Sequence, residues 1–300
     1  MTYLQLTAHV FLLLFWMRLW CRPAQEFYFN PFLSGTARFI DGIIGFLRPA
    51  LMLPERLTAL ALLVFFWAFQ AMFFARFGEA WELALGLFHF APPEETLPWK
   101  MQFAYSGITT AWFLLQAWTL YFLARLISAP NRANRAQEAF TAFMNPFSRL
   151  PLPLQPFVLL ALHFALMHAL LRTGAVPHTI DFAQEQITAI PELFAGGRLL
   201  TCLLRTGLLA LDSFACGFET LVNTLMLFIF GGLIAMLFGM KLPALICQES
   251  IDVLMGRFAR KPKPGGGFDF SPLIFFIVAN IISAQLHLIL NKLILLPLPQ

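Results

Sequence analysis

The chain has 300 residues, of which 59 % are hydrophobic and only 12 % charged, with a formal net charge of +4 and a mean hydropathy of +0.73. A soluble domain carries about 25 % charged residues. The 35 Phe and 7 Trp exceed what a soluble core of this size conceals, whereas lipid faces such side chains without cost. Soluble enzymes and nucleic-acid binders are thereby disfavoured, and an all-α polytopic membrane protein with no separate soluble domain remains.

Runs of about 20 apolar residues mark membrane-crossing helices, and the first covers 2–20. No basic start or small-residue cleavage site accompanies it. Arg18 and Arg22 follow the apolar run, which predicts a retained first helix with its N-terminus outside. Phe27–Arg48 comes next. It puts Phe32, Phe39, Ile40, Ile43 and Leu47 on one helical face and Arg38, Asp41, Gly45 and Arg48 on the other, the pattern of a helix lying in the headgroup plane. A second span at 57–76 completes a first unit, residues 1–76, and 77–103 form an external loop.

A second, divergent unit occupies 104–171. It consists of a span at 104–127, a segment Asn131–Phe147 with Ala136, Phe140, Phe143 and Phe147 opposite Arg132 and Arg135, and a short span at 157–171. Residues 172–217 form another external loop. Its apolar run 199–217 carries Arg205 and Asp212 near its middle. Each such charge costs about 2.5–3.5 kcal/mol at a helix centre in the bilayer, so an interfacial helix is expected there. The third unit, 218–300, has a span at 219–239 and a segment Pro243–Lys261, in which Cys247, Ile251, Leu254 and Phe258 oppose Glu249, Asp252, Gly256 and Arg260. A Gly-rich element at 265–272 and a last span at 272–295 complete it, making six spans in three span–amphipathic helix–span units.

Basic residues concentrate in the odd-numbered connections: Arg22, Arg38, Arg48 and Arg56; Arg132, Arg135 and Arg149; Lys241, Arg257, Arg260, Lys261 and Lys263. The even ones hold Lys100, Arg172, Arg198 and Arg205. The positive-inside rule then makes the odd connections cytoplasmic and both termini external.

Two details suggest that the units share ancestry. Asn-Pro-Phe recurs at Asn30–Pro31–Phe32 and Asn145–Pro146–Phe147, and Asp41 with Gly45 and Arg48 parallels Asp252 with Gly256, Arg257 and Arg260. Together with Gly266, Gly267, Asp269, Ser271 and Pro272 in Gly-Gly-Phe-Asp-Phe-Ser-Pro, these motifs resemble the YggT family of small bacterial membrane proteins, with YlmG-type relatives in plastids. The likeness covers about half of the chain, in the first and last units. Gly42 and Val253 stand where the family usually has Pro, and the Gly-Gly element is missing after the first segment. Physically, the element is a helix start: glycines for the turn, Ser271 or Asp269 as cap and Pro272 in the first helical position.

Catalytic signatures are absent: there is no Gly-x-Ser-x-Gly, His-Glu-x-x-His or Walker motif. Cys21, Cys202, Cys216 and Cys247 lack Cys-x-x-Cys spacing; they read as apolar filler, with a Cys202–Cys216 disulfide as the alternative. His9, His163, His168 and His287 lie in or beside spans, but no pair has ligand spacing. Packing is expected, with no cofactor, although the resemblance to plastid proteins associated with cytochrome maturation brings haem into consideration. Gln70, Gln116, Asn223, Asn280, Gln285 and Asn291 read as interhelical hydrogen-bonding groups. Arg205, Asp212 and Glu219, spaced by seven, read as the wet face of an interfacial helix or a vestibule lining.

The leading expectation is a noncatalytic scaffold or assembly factor of the bacterial cytoplasmic membrane. Lipids and other membrane proteins would be its partners, meeting Arg38, Asp41, Arg48, Asp252, Arg257, Arg260 and Lys261. A small-solute or ion channel linked to osmotic stress would instead gather Gln70, Gln116, Asn223 and Asn280 around one cavity. An accessory subunit of a larger membrane complex is the third reading.

Overall fold

The computed structural model describes residues 3–21, 30–77, 83–85, 88–91, 98–127, 135–181, 186–189, 199–258 and 271–295. Among them are nine α-helices: α1 (Tyr3–Trp20), α2 (Pro31–Leu51), α3 (Glu55–Phe77), α4 (Trp99–Ile127), α5 (Arg135–Phe143), α6 (Gln155–Arg172), α7 (Leu199–Leu237), α8 (Lys241–Met255) and α9 (Ser271–Leu295). Five are long and apolar enough to cross a membrane: α3, α4, α6, α7 and α9. The described side chains of α1, Thr7–Trp20, form a shorter apolar helix. The helical class agrees with the sequence.

Helix α1 packs on α3 and α7 on α9, while α4 lies among α3, α6 and α7, and α6 also packs on α7. Contact between α4 and α7 is close because Gly217 has no side chain; a Cβ there would stand 2.3 Å from Thr119 Cγ2. Two buried threonines of α4 are satisfied locally. Thr109 and Thr119 donate to the carbonyls of Tyr105 and Leu115 one turn back.

At one end of the bundle, α5 packs on both α2 and α8. Helix α2 starts where its sequence says it should. Asn30 caps it by accepting from the Phe32 amide at 3.0 Å, and Pro31 occupies the first turn. The Asn30 amide nitrogen donates to the Arg135 carbonyl, joining α2 to the start of α5. Helix α7 ends on Gly239, whose φ of +68° lets the Met240 amide reach the Ala235 carbonyl and the Gly239 amide reach that of Met236. The chain then folds back, so that Gly231 and Gly232 lie against Cys247 of α8.

At the opposite end the two loops pair with each other. Strands β1 (Leu83–Leu85), β2 (Phe88–Ala91), β3 (Val176–Asp181) and β4 (Gln186–Ala189) form one antiparallel sheet in that order. Phe90 pairs with Leu83 on one side and Pro177 on the other. Phe88 and Phe90 are fully buried, Phe88 stacking on Trp112 at 5.8 Å. They plug the bundle in a cluster with Tyr105, Met167, Leu209 and Ile294.

Several expectations need correction. The run 199–217 and the span 219–239 are one helix of 39 residues, about 58 Å long at the usual rise and twice the thickness of a bilayer core. Arg205 and Asp212 are buried in it and do not line a wet interface. The inner face of α2 is Leu33, Ala37, Ile40 and Ile44, and Phe39 is 49 % exposed. The two Asn-Pro-Phe triplets are not equivalent. Asn30–Pro31 begins α2, whereas Asn145 and the cis-linked Pro146 follow α5. There Asn145 accepts from Arg149 Nε, and its carbonyl accepts from Trp16 Nε1.

Candidate functional site: the polar interior of α7

Helix α7 carries Asp212 and Ser213 side by side, and successive helical residues point about 100° apart. Ser213 faces α4 and α6. Its hydroxyl accepts from Trp112 Nε1 at 3.0 Å and meets His163 Nδ1 at 2.8 Å. His163 Nε2 lies 3.1 Å from Thr119 Oγ1, whose own proton goes to the Leu115 carbonyl. Gln116 donates to the Ser213 carbonyl at 2.8 Å.

One assignment satisfies this chain throughout. Trp112 donates to Ser213, Ser213 to His163 Nδ1, His163 Nε2 to Thr119, and Thr119 to the backbone, with the imidazole neutral. Although Ser213 and His163 resemble a nucleophile–base pair, Ser213 is fully buried and its hydroxyl is held between Trp112 and His163. It has no free approach for a substrate. This cluster is a lock between α4, α6 and α7.

Asp212 faces α9. Its Oδ1 is 2.5 Å from His287 Nδ1, and His287 Nε2 is 3.7 Å from Glu219 Oε1. The side chains of His287, Asp212 and Glu219 are 0, 3 and 14 % exposed. Residues seven apart lie close to one line on a helix, so Arg205, also buried, belongs to the same stripe. Ser283 and Asn291 flank His287 by one turn on α9 and are buried. Neither Ser283 Oγ nor Asn291 Nδ2 has a hydrogen-bond partner among the described residues. Ionisable groups so placed in a membrane bundle are functional candidates.

No protein-family model, curated protein or solved structure matches the chain.

The other expected residues scatter. Asp41 is ion-paired to Arg18 at 2.9 Å, and Arg18 also reaches Glu55 and the Cys21 carbonyl, tying α1 to α2 and α3. Asp41 thereby links α2 to α1. Arg48 lies 3.5 Å from Glu55, both half-exposed, and Arg38 is exposed. Asp252 is half-buried on α8. The side chain of Arg257, and Arg260, Lys261, Gly266, Gly267 and Asp269 altogether, fall outside the described residues. Helix α9 begins at Ser271, with Pro272 as its second residue, so Ser271 lies inside the first turn where a capping position was expected.

Gln70, Gln116, Asn223 and Asn280 do not surround one cavity. Gln70 lies 3.5 Å from His9, Gln116 binds Ser213, and Asn223, Asn280 and Gln285 are exposed. His168 stacks on Phe164. All four cysteines are free, with Cys202 and Cys216 on the same helix. Fourteen residues apart, they lie about 21 Å from each other along its axis, too far to bridge. Burial raises the Cys21 thiol, against the lowering influence of the Asn145 hydrogen bond.

Sequence reasoning missed Ser213, Thr119 and Ser283 as polar partners because serine and threonine in an apolar helix give no periodic signal of their own. The seven-residue row of Arg205, Asp212 and Glu219 was visible. His287 as its partner was not, since 75 residues separate it from Asp212.

Proposed function

We propose that this is a noncatalytic multi-pass membrane scaffold or assembly factor of the bacterial cytoplasmic membrane. It works through the adjoining amphipathic helices α2, α5 and α8, with that layer on the cytoplasmic side. The observation that carries the reading is the double-faced character of α2. One side is buried in the bundle, while the other presents Arg38 and Arg48 beside Phe39, Phe46 (82 % exposed) and Met52 (90 %). Aromatic and apolar groups flanked by arginine suit the boundary between acyl chains and anionic headgroups.

Contact of α1 with α3 and of α7 with α9 supports the first and third units of a span–amphipathic helix–span organisation, whereas α6 of the middle unit packs on α7 as well as on α4. This arrangement is compatible with the YggT-like resemblance, which belongs to the same proposal.

The test is anionic-lipid retention by the protein purified in mild detergent, read by native mass spectrometry. Each arginine near an anionic surface contributes about 1 kcal/mol, so R38Q/R48Q should weaken phosphatidylglycerol retention roughly thirtyfold, and added salt should weaken retention by the unaltered protein. Retention that is unchanged in the variant and insensitive to salt rejects the lipid-facing role.

A further inference from the structure

We propose that Asp212, His287 and Glu219 form an exchangeable proton-binding site between α7 and α9. His287 stands between two carboxylates, with each ring nitrogen facing one of them. At 2.5 Å from Asp212 Oδ1, Nδ1 shares a proton with that oxygen, because two lone pairs cannot approach so closely. On the other side Nε2 is 3.7 Å from Glu219 Oε1, with little solvent access to intervene. A bare nitrogen lone pair would there oppose a carboxylate lone pair at low dielectric, so a second proton resides on Nε2 or on Glu219.

The charges of the three side chains lead to the same state. Imidazolium His287 balances one of the two carboxylates, and loss of its second proton leaves both facing a neutral ring where burial makes charge costly.

The independent sign of an exchanging ligand is the unsatisfied pair around the ring. α9 runs antiparallel to α7: Ile294 belongs to the same apolar cluster as Leu209 and Ala210, and Ala279 lines the same cavity as Leu221. The step from His287 to Ser283 therefore leads toward Glu219. Fully buried and without a hydrogen-bond partner among the described residues, Ser283 Oγ offers a donor to the Glu219 carboxylate once its proton has gone. The two acids approach opposite ring nitrogens and do not converge on a common centre. Accordingly, no described group of three His, Cys, Asp or Glu side chains is arranged to hold a metal ion, while a proton needs neither convergence nor space.

Among the described residues, other ionisable groups stand on the elements packed against this site. Cys216 shares α7, and Lys292 is exposed on α9. His163 on α6 and Tyr105 on α4 already have their hydrogen bonds; His168 and Arg172 also lie on α6, and Lys100, Tyr121 and Arg125 on α4. His89 lies on β2, which also touches α7. Lys241, Cys247, Glu249 and Asp252 belong to α8, which folds back on the far half of α7.

The experiment is pH-difference infrared spectroscopy of the protein reconstituted in phosphatidylcholine vesicles. The expected result is a carboxylic C=O band that grows as pH falls and shifts in D2O. It should be retained in E55Q, lost in E219Q, and moved in midpoint by about one pH unit or more in D212N. H287Q should abolish the coupled imidazolium bands. If H287Q does not fold, the two isosteric carboxamide variants still decide the matter. A band that does not respond to pH overturns the proposal, as does one retained unchanged in both E219Q and D212N. Displacement of the band by sodium at fixed pH overturns it too, in favour of a metal-cation site.

Discussion

Two histidines meet neighbouring residues of one helix and end in opposite circumstances. His163 joins Ser213, Thr119 and Trp112 in a chain whose every proton has an acceptor. His287 joins Asp212 and Glu219 in a row with a 3.7 Å gap and unsatisfied neighbours. The first arrangement closes its ring of hydrogen bonds around a neutral imidazole, although Gln116 Oε1 beside it has no partner among the described residues. The second holds charge in a place where charge is costly, and its state depends on how many protons it holds. Burial and side-chain type are the same at the two rings; hydrogen-bond closure is what differs.

That contrast can be broken by substitution. The largest effect is expected for Asp212→Ala. Removing one partner of a buried charged pair costs about 3–5 kcal/mol, and the loss should vary with pH because His287 and Glu219 must redistribute their protons. Thermal unfolding in detergent, followed by tryptophan fluorescence, reads it. A small, pH-independent loss would place Asp212 with the neutral network instead.

Gly217→Ala comes next. A Cβ 2.3 Å from Thr119 Cγ2 forces α4 and α7 apart, with overpacking costs of about 1–3 kcal/mol. Because Thr119 ends the His163 chain, this change should disturb the neutral cluster more than the charged one. Tryptophan emission from Trp112 against the infrared carboxyl signal separates the two.

Ser213→Ala removes an acceptor for Trp112 and a donor to His163. Interhelical hydrogen bonds in membranes average roughly 0.6 kcal/mol each, so a loss near 1 kcal/mol is expected. It should be constant across the pH range in which histidine titrates. A pH-dependent loss would show that His163 carries charge and would erase the distinction between the two rings. Asn30→Ala, remote from both, should cost about 1 kcal/mol through the lost cap and leave the infrared signals of both clusters unchanged.

Local chemistry made much of the scaffold legible. Apolar runs, the Asn30–Pro31 start of α2 and the Ser271–Pro272 start of α9 are properties of short segments, and the structure contains them. The inner face of α2 was read one step off. Phe39 fits the helical stripe, but the bundle offers room for Leu33, Ala37, Ile40 and Ile44, and which side of an amphipathic helix meets protein is set by its neighbours. The pairing of two loops into a sheet was likewise invisible, since β2 and β3 lie far apart in the chain.

The sequence alone determined the helical membrane-type class, because apolar length and the scarcity of charge act residue by residue against water or lipid. It also determined the capped start of α2 and the existence of three amphipathic segments, which follow from local hydrogen bonding and a period of 3.6. Only the tertiary structure decided the fate of 199–239. Counted alone, Arg205 and Asp212 argue for an interface. Opposite α9, Asp212 meets His287, and the cost of burying its charge is offset by a partner from another part of the chain.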